Sequence, residues 1–227
     1  MHQQKSKKIL IYLFLFLIIG SLNNKNLNNF DFLKIKKIEI NGLDENNNFE
    51  LLKKLNNLRL DNIFFLGEAE IIKIIEIINS NKLVENYSLF KKYPSSLNID
   101  IIQTEFLANV KIESRNFFLG SNGKLIETNN PRENLPFIFG KFNNTDFFNL
   151  KKNISETNFK FNKIKNLYYF KSGRWDIETY SGLKIKLPKN DIKESFNILE
   201  DIIDKFDTEK ITNIDLRQKN QIIIDEQ

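Results

Sequence analysis

At 227 residues, with 41% hydrophobic and 28% charged side chains, the chain has an ordinary globular composition and length enough for one large or two small domains. It has no cysteine and one histidine, His2, next to the N-terminus, so disulfides and thiol chemistry are excluded, and neither a histidine-based triad nor a zinc site is expected. The net charge of +5 is spread along the chain against 29 acidic residues, with no basic block and no nucleic-acid motif, so no nucleic-acid partner is expected.

The chain begins "MHQQKSKKILIYLFLFLIIGSLNN". Lys5, Lys7 and Lys8 precede an unbroken apolar run over residues 9–20. A run of this length is either a secretory signal or a short uncleaved anchor. Gly20 and Ser21 follow two isoleucines and make a poor cleavage site, which favours an anchor over 9–22. Its lysines can snorkel to lengthen the effective span, and the basic flank predicts a short cytoplasmic tail, 1–8, with the rest exported. Residues 23–31 read as a polar linker.

"KIKKIEINGL" alternates as a strand ending at the turn pair Asn41-Gly42. "NNFELLKKLNNL" spaces Leu51, Leu52, Leu55 and Leu58 as a helix, with Asn47 and Glu50 as a capping box. After a loop, "RLDNIFFLG", the segment "EAEIIKIIEIIN" predicts a second helix with Ile71, Ile72, Ile74, Ile75 and Ile78 on a broad face. Glu68 and Glu70 stand in its first turn, where the dipole favours acids. "YSLFKKYPSSLNIDIIQ" then reads as two strands. Tyr87, Leu89 and Lys91 alternate with Ser88, Phe90 and Lys92; Leu97, Ile99 and Ile101 alternate with Asn98, Asp100 and Ile102. Pro94 marks the turn. The predicted unit is strand–helix–helix–strand–strand over 32–105.

The remainder, 106–227, is mainly strand-like. "ANVKIESRNFFLGSNGKLIE" carries the hairpin pair Asn122-Gly123. "RENLPFIFG" is a short segment punctuated by Pro and Gly, and "NTDFFNLKKNI" a short helix. "FNKIKNLYYF", "RWDIETY" and "LKIKLP" are strands, the last two joined by Ser181-Gly182. Trp175, between Arg and Asp, reads as half-buried packing. Ile192, Phe196, Leu199, Ile202, Ile203 and Phe206 mark an amphipathic helix capped by Asn190 or Asp191. "KITNIDLR" and "QIIIDE" are the last strands.

No nucleophile elbow and no phosphate-binding glycine pattern is present. Carboxylate pairs such as Asp44/Glu45, Glu200/Asp201 and Asp225/Glu226 read as solvated faces. A carboxylate-only hydrolase has nothing that points to it. No catalytic residue, metal site or cofactor is expected, which leaves an exported binding or scaffolding protein.

Several stretches, in order, resemble the FtsQ/DivIB family of bacterial cell division proteins. These are "IKKIEINGL", "DNIFFLG", "LVENYSLFKKYPSSLNIDI", "FLGSNGKLIE", "LPFIFG", "GRWDIETYSGLKIKLP" and "ITNIDLRQKNQIIID". The resemblance implies an α+β protein: an N-terminal anchor, a POTRA domain at 32–105, and a β-rich domain at 106–227 with a C-terminal helix and edge strands. It implies a non-enzymatic division scaffold, single-pass in the cell inner membrane, mostly periplasmic and at the septum. Such proteins bind FtsB and FtsL outside the membrane and meet other divisome proteins through the POTRA domain. The family's FtsB contact is a strand added to an exposed edge, matched here by "RQKNQIIID". That assigns partner contact to Arg217, Gln218, Asn220, Ile222 and Ile224, with Arg174 bracing the same surface. The bland alternative is that Ile222 and Ile224 only fill the core. A POTRA-containing envelope assembly protein or another exported binding module is the alternative function, though a membrane barrel has no room here.

Overall fold

The computed structural model describes residues 2–22, 35–58, 66–205, 211–218 and 221–226. The chain divides into two compact units, Met1–Gln103 and Thr104–Gln227.

The first helix, α1, spans His2–Leu22. The large apolar side chains from Ile9 to Ile19 are all exposed, Phe16 the most at 75%. No helix among the described residues is long and apolar enough to cross a membrane. The physical reason is length: an apolar run of twelve residues over 9–20 rises only about 18 Å, against roughly 30 Å of hydrocarbon. The spanning helix expected at 9–22 thus falls short by that measure. The expected linker, 23–31, lies outside the described residues, as does most of the loop before the second helix of the unit.

Strand β1 (Lys37–Asn41), helices α2 (Glu45–Asn56) and α3 (Glu68–Ser80), and strands β2 (Val84–Lys92) and β3 (Ser96–Gln103) follow. This is the order that the hydrophobic periodicity predicts. The strands form a three-stranded sheet in the order β1-β3-β2, with β1 parallel and β2 antiparallel to β3. Leu97, Ile99 and Ile101 on one face of β3 meet Leu51 and Leu55 of α2 and Ile74 and Ile78 of α3 in one core. Tyr87 and Leu89 pack partly on this core, while Ser88 and Phe90 face solvent. Pro94 lies in the turn between the strands, preceded by a cis peptide.

Two details differ from expectation. The cap of α2 is Asp44, not Asn47: the Asp44 carboxylate accepts the backbone N–H of Asn47 at 3.1 Å, so the helix starts earlier. On α3 the buried stripe is Ile74 and Ile78 with Ile71 and Ile77 beside them, while Ile72 is 53% exposed. Turning at 100° per residue, the helix points position 72 away from the sheet. Gly42 ends β1 with a φ of +105°, and a Cβ there would lie 1.8 Å from the Ile101 carbonyl oxygen, so the turn admits glycine alone.

The second unit carries strands β4 (Phe106–Ile112), β5 (Arg115–Gly120), β6 (Leu125–Thr128), β7 (Phe137–Phe139), β8 (Ile164–Tyr169), β9 (Trp175–Thr179), β10 (Lys184–Lys186), β11 (Ile211–Gln218) and β12 (Gln221–Glu226), with helices α4 (Asn144–Ser155) and α5 (Ile192–Lys205). All nine strands form one sheet, in the order β12-β11-β10-β9-β8-β7-β4-β5-β6. "RENLPFIFG", expected only as a punctuated segment, supplies β7 near the middle of it.

Register explains where the core sits. One row crosses the sheet as Phe117, Val110, Ile138, Leu167, Ile177, Ile185, Ile214 and Ile224. Each helix is the crossover between adjacent parallel strands, α4 from β7 to β8 and α5 from β10 to β11. Both helices bury their apolar stripes on this row: Phe147, Leu150 and Ile154 from α4, Phe196, Leu199 and Ile202 from α5. Trp175, expected half-buried, is 2% exposed and packs against Phe142 and Tyr169, with ring centroids 5.9 and 4.7 Å away. Its strand lies inside the sheet, under the helices, rather than at an edge. Asp191 precedes α5 with a φ of +59°, and its carbonyl accepts the backbone N–H of Ser195 at 3.0 Å. Phe206 lies outside the described residues.

Candidate partner-binding edge

The last two strands form an antiparallel pair at the end of the sheet, and β12 is its terminal strand. Among the described residues β12 pairs on one side only, so its other side presents unpaired backbone groups. The pairing is interrupted twice. Ile211 and Asn213 face Glu226 and Asp225, so Thr212 is an extra residue; Asp215 and Gln218 face Ile223 and Gln221, so β11 again carries one residue more. Side chains stabilise the first bulge: the Thr212 hydroxyl donates to the Asp225 carbonyl at 3.2 Å, and the Asn213 amide donates to the Asp225 carboxylate at 2.9 Å. At the second bulge, the Asp215 carboxylate accepts the backbone N–H of Arg217 at 3.0 Å.

Three consecutive isoleucines on β12 point to alternate faces. Ile224 lies in the core row, half-buried against the cluster. Ile222 shares its face but is 44% exposed. It borders a groove of 790 Å³ with Ser195, Ile198 and Ile202 of α5 and Leu216 and Gln218 of β11. Ile223, 39% exposed, stands on the opposite face, beside Asp215.

That opposite face carries charge. Asp176, Lys186 and Asp215 lie in one cross-strand row. Arg217 binds both Asp215 oxygens through Nε, at 2.8 and 2.9 Å, and pairs with Oδ2 through a terminal nitrogen as well. This holds the Asp215 carboxyl below the usual carboxylate range, against the opposing effect of burial. Asp176 behaves oppositely. Burial raises it above the usual range, outweighing the pull of Arg174, Arg217 and Lys186. Arg174 Nε lies 3.5 Å from Asp176 Oδ1, an ion pair without a hydrogen bond, and neither atom finds a hydrogen-bond partner within the described residues. The Arg174 guanidinium stacks over Phe170, 4.4 Å from its centroid.

The structure therefore distributes the expected residues over two surfaces. Arg174 and Arg217 meet around Asp176 on the open face of the sheet. Ile222 and Gln218 border the groove on the helix side, where Arg217 also contributes to the lining, and Ile224 is half-buried against the core cluster. Asn220 lies outside the described residues. Asp176, Lys186, Asp215 and Ile223 were not singled out in the sequence. For Ile223 the signal was available, since a strand cannot turn three successive isoleucines to one face. Among the described residues, no group of three or more potential metal ligands comes together.

The C-terminal family of cell division proteins FtsQ/DivIB matches residues 108–217. The cell division protein FtsQ of Rickettsia bellii is 24% identical over 195 residues, covering 85% of this chain and 72% of that protein. FtsQ of Bradyrhizobium diazoefficiens is 23% identical, over 84% of this chain and 56% of its own length. DivIB of Clostridium botulinum is 28% identical over 138 residues, 60% of this chain and 51% of that one. The major extracytoplasmic domain of DivIB from Geobacillus stearothermophilus aligns with a TM-score of 0.33 at 14% identity, over 42% of this chain and 87% of that chain, too loose a superposition to argue from. The family match takes in every strand from β5 to β10 and nearly all of β4 and β11, and the relatives extend the similarity over most of the chain: over this length the protein is similar to the FtsQ/DivIB family of cell division proteins.

Proposed function

We propose that the protein is a non-enzymatic scaffold of the division machinery that takes up FtsB, in complex with FtsL, by strand addition along β12. The observation that carries this reading is the position of β12 at the open edge of a nine-stranded sheet, with Ile222 and Ile223 exposed on its two faces. Unpaired edge groups supply affinity; the flanking side chains supply register. Ile222 and Gln218 would contact the incoming chain from the groove side, and Arg217, braced by Asp215, from the open face. Arg174 would hold Asp176 beside it, and Asn220 belongs to the same reading by its place in the sequence.

In this reading residues 32–105 form a POTRA domain that meets other divisome proteins, and 106–227 form the partner-binding domain. The exposed apolar side chains of α1 support membrane attachment, with its lysines at the headgroups, most of the chain in the periplasm and the protein at the septum.

Co-purification with an FtsB–FtsL pair from the same organism tests the reading. Ile222→Lys places a charge in the groove, and Ile222→Pro removes a backbone N–H; both variants are expected to lose the pair while remaining folded. Folded variants that keep the partner would remove β12 as the site.

A further inference from the structure

We propose that the end of the first unit at which β1 begins is a docking surface for anionic lipid headgroups. The proposal rests on the reading of α1 as a membrane attachment.

The sheet register gathers lysines at this end. Lys37 of β1 and Lys92 of β2 both lie opposite Ser96 of β3, on the face turned away from the helices. Lys36 is beside them, its backbone N–H bonded to the Ser95 carbonyl at 2.8 Å. Helix α2 runs back toward the same end: Leu55, Asn56 and Leu58 line a small cleft with residues 35–38. Its last turn carries Lys53 and Lys54. Lys91 completes the set, its ammonium donating to the Leu66 carbonyl at 3.3 Å. The acids nearby are Glu39, which Lys37 pairs at 2.5 Å, and Glu68 and Glu70 in the first turn of α3.

The other end has the reverse sign. Asp44 and Glu45 open α2, Asp100 lies opposite Asn41 at the end of β1, and Glu85 stands at the start of β2; Lys82 is the cation among them. The unit is thus polarised along its strands. Its basic end carries exposed aromatics as well, Tyr93 at 55% and Phe90 at 56%. Basic and aromatic side chains together suit the headgroup layer of a bilayer.

Chain order selects which end faces the membrane. β1 is the first strand described after α1, and Lys36 and Lys37 stand at its start. A segment tethered to a bilayer through α1 brings this end to the surface first, and an anionic leaflet would hold it there by charge.

The full chain would be reconstituted with phosphatidylcholine vesicles and with mixed phosphatidylcholine–phosphatidylglycerol vesicles. Flotation in high salt reads α1, and amine labelling of individual lysines at low salt reads the surface. Labelling of Lys36, Lys37, Lys53, Lys54, Lys91 and Lys92 is expected to fall about fivefold or more on the anionic vesicles, with Lys73 and Lys82 unchanged and with salt reversing the effect. In the variant K36Q/K53Q/K54Q/K92Q, built on exposed positions, the protection of Lys37 and Lys91 is expected to vanish. Equal labelling on both vesicles, or equal protection of Lys82, would overturn the proposal while flotation leaves the attachment reading intact. Failure to float with neutral vesicles would remove the attachment reading. The lipid surface would then stand only if anionic vesicles still protected the six lysines, and would fall otherwise.

Discussion

Asp215 and Arg217, two residues apart on β11, close on each other across a bulge: one carboxylate accepts both the backbone N–H and the guanidinium of the same arginine. The bulge is what makes this pairing necessary. The extra residue takes Arg217 out of register with β12, and Asp215 supplies the acceptor that the ladder does not. The ion pair therefore shapes the end of β11 and fixes where the Arg217 side chain sits.

Asp215→Ala removes the acceptor and leaves a backbone N–H and a guanidinium to find water. The expected loss is about 1–3 kcal/mol by denaturant titration. Asp215→Asn keeps an oxygen for the N–H and should recover part of it. If the two variants were equally stable, the backbone bond would have no weight.

The two aspartates of this face predict opposite pH dependence. Asp215 is held below its ordinary pKa, 3.8, so it stabilises the fold above that value, and the gain is lost as pH falls through its folded pKa. Asp176 is raised above 3.8, so the folded state binds its proton more tightly than the unfolded chain does. Its charge costs stability, and that cost develops as pH rises from the ordinary value through the folded one. Asp176→Asn is therefore expected to gain stability relative to the parent at neutral pH, with the gain shrinking in acid. Asp215→Asn should lose stability at neutral pH, with the loss shrinking in acid. Stability curves from pH 3 to pH 7 on both variants check the signs, and parallel curves would contradict them.

Trp175→Ala should cost about 3–5 kcal/mol, since the ring is buried among Phe142, Tyr169 and the helices and its removal leaves a cavity. A loss under about 1 kcal/mol would mean that the core collapses around the site.

Gly42→Ala sets a Cβ into the Ile101 carbonyl at a backbone angle that disfavours side chains, so β1 should detach from the sheet more readily. Faster amide exchange over 37–41, relative to 144–155 in the other unit, is the expected readout. Unchanged exchange would show that the turn can shift at little cost.

The parts of the fold that local pattern determines were legible in the sequence. Tyr87 and Leu89 alternate with Ser88 and Phe90, and burial follows that alternation. Where the first turn of a helix is polar, the pattern fails: Asn46, Asn47 and Asn48 give no apolar signal, which hid Asp44 as the cap of α2. Trp175 looked half-buried because its neighbours are charged, but its depth comes from lying in the middle of nine strands under two helices. The row Asp176, Lys186 and Asp215 is a matter of register between strands distant in sequence, which no local pattern carries. The terminal position of β12 is likewise a property of strand order; the resemblance pointed to it, while the run of isoleucines at 222–224 erased the alternation that would have told its two faces apart.

Hydrogen exchange on the full chain, with and without an FtsB–FtsL pair, tests the central claim most directly. Strand addition along β12 predicts that amide protection rises over 221–226, since only a new strand can pair the open side of that edge. Protection that appears elsewhere and leaves 221–226 unchanged while the complex forms would contradict it.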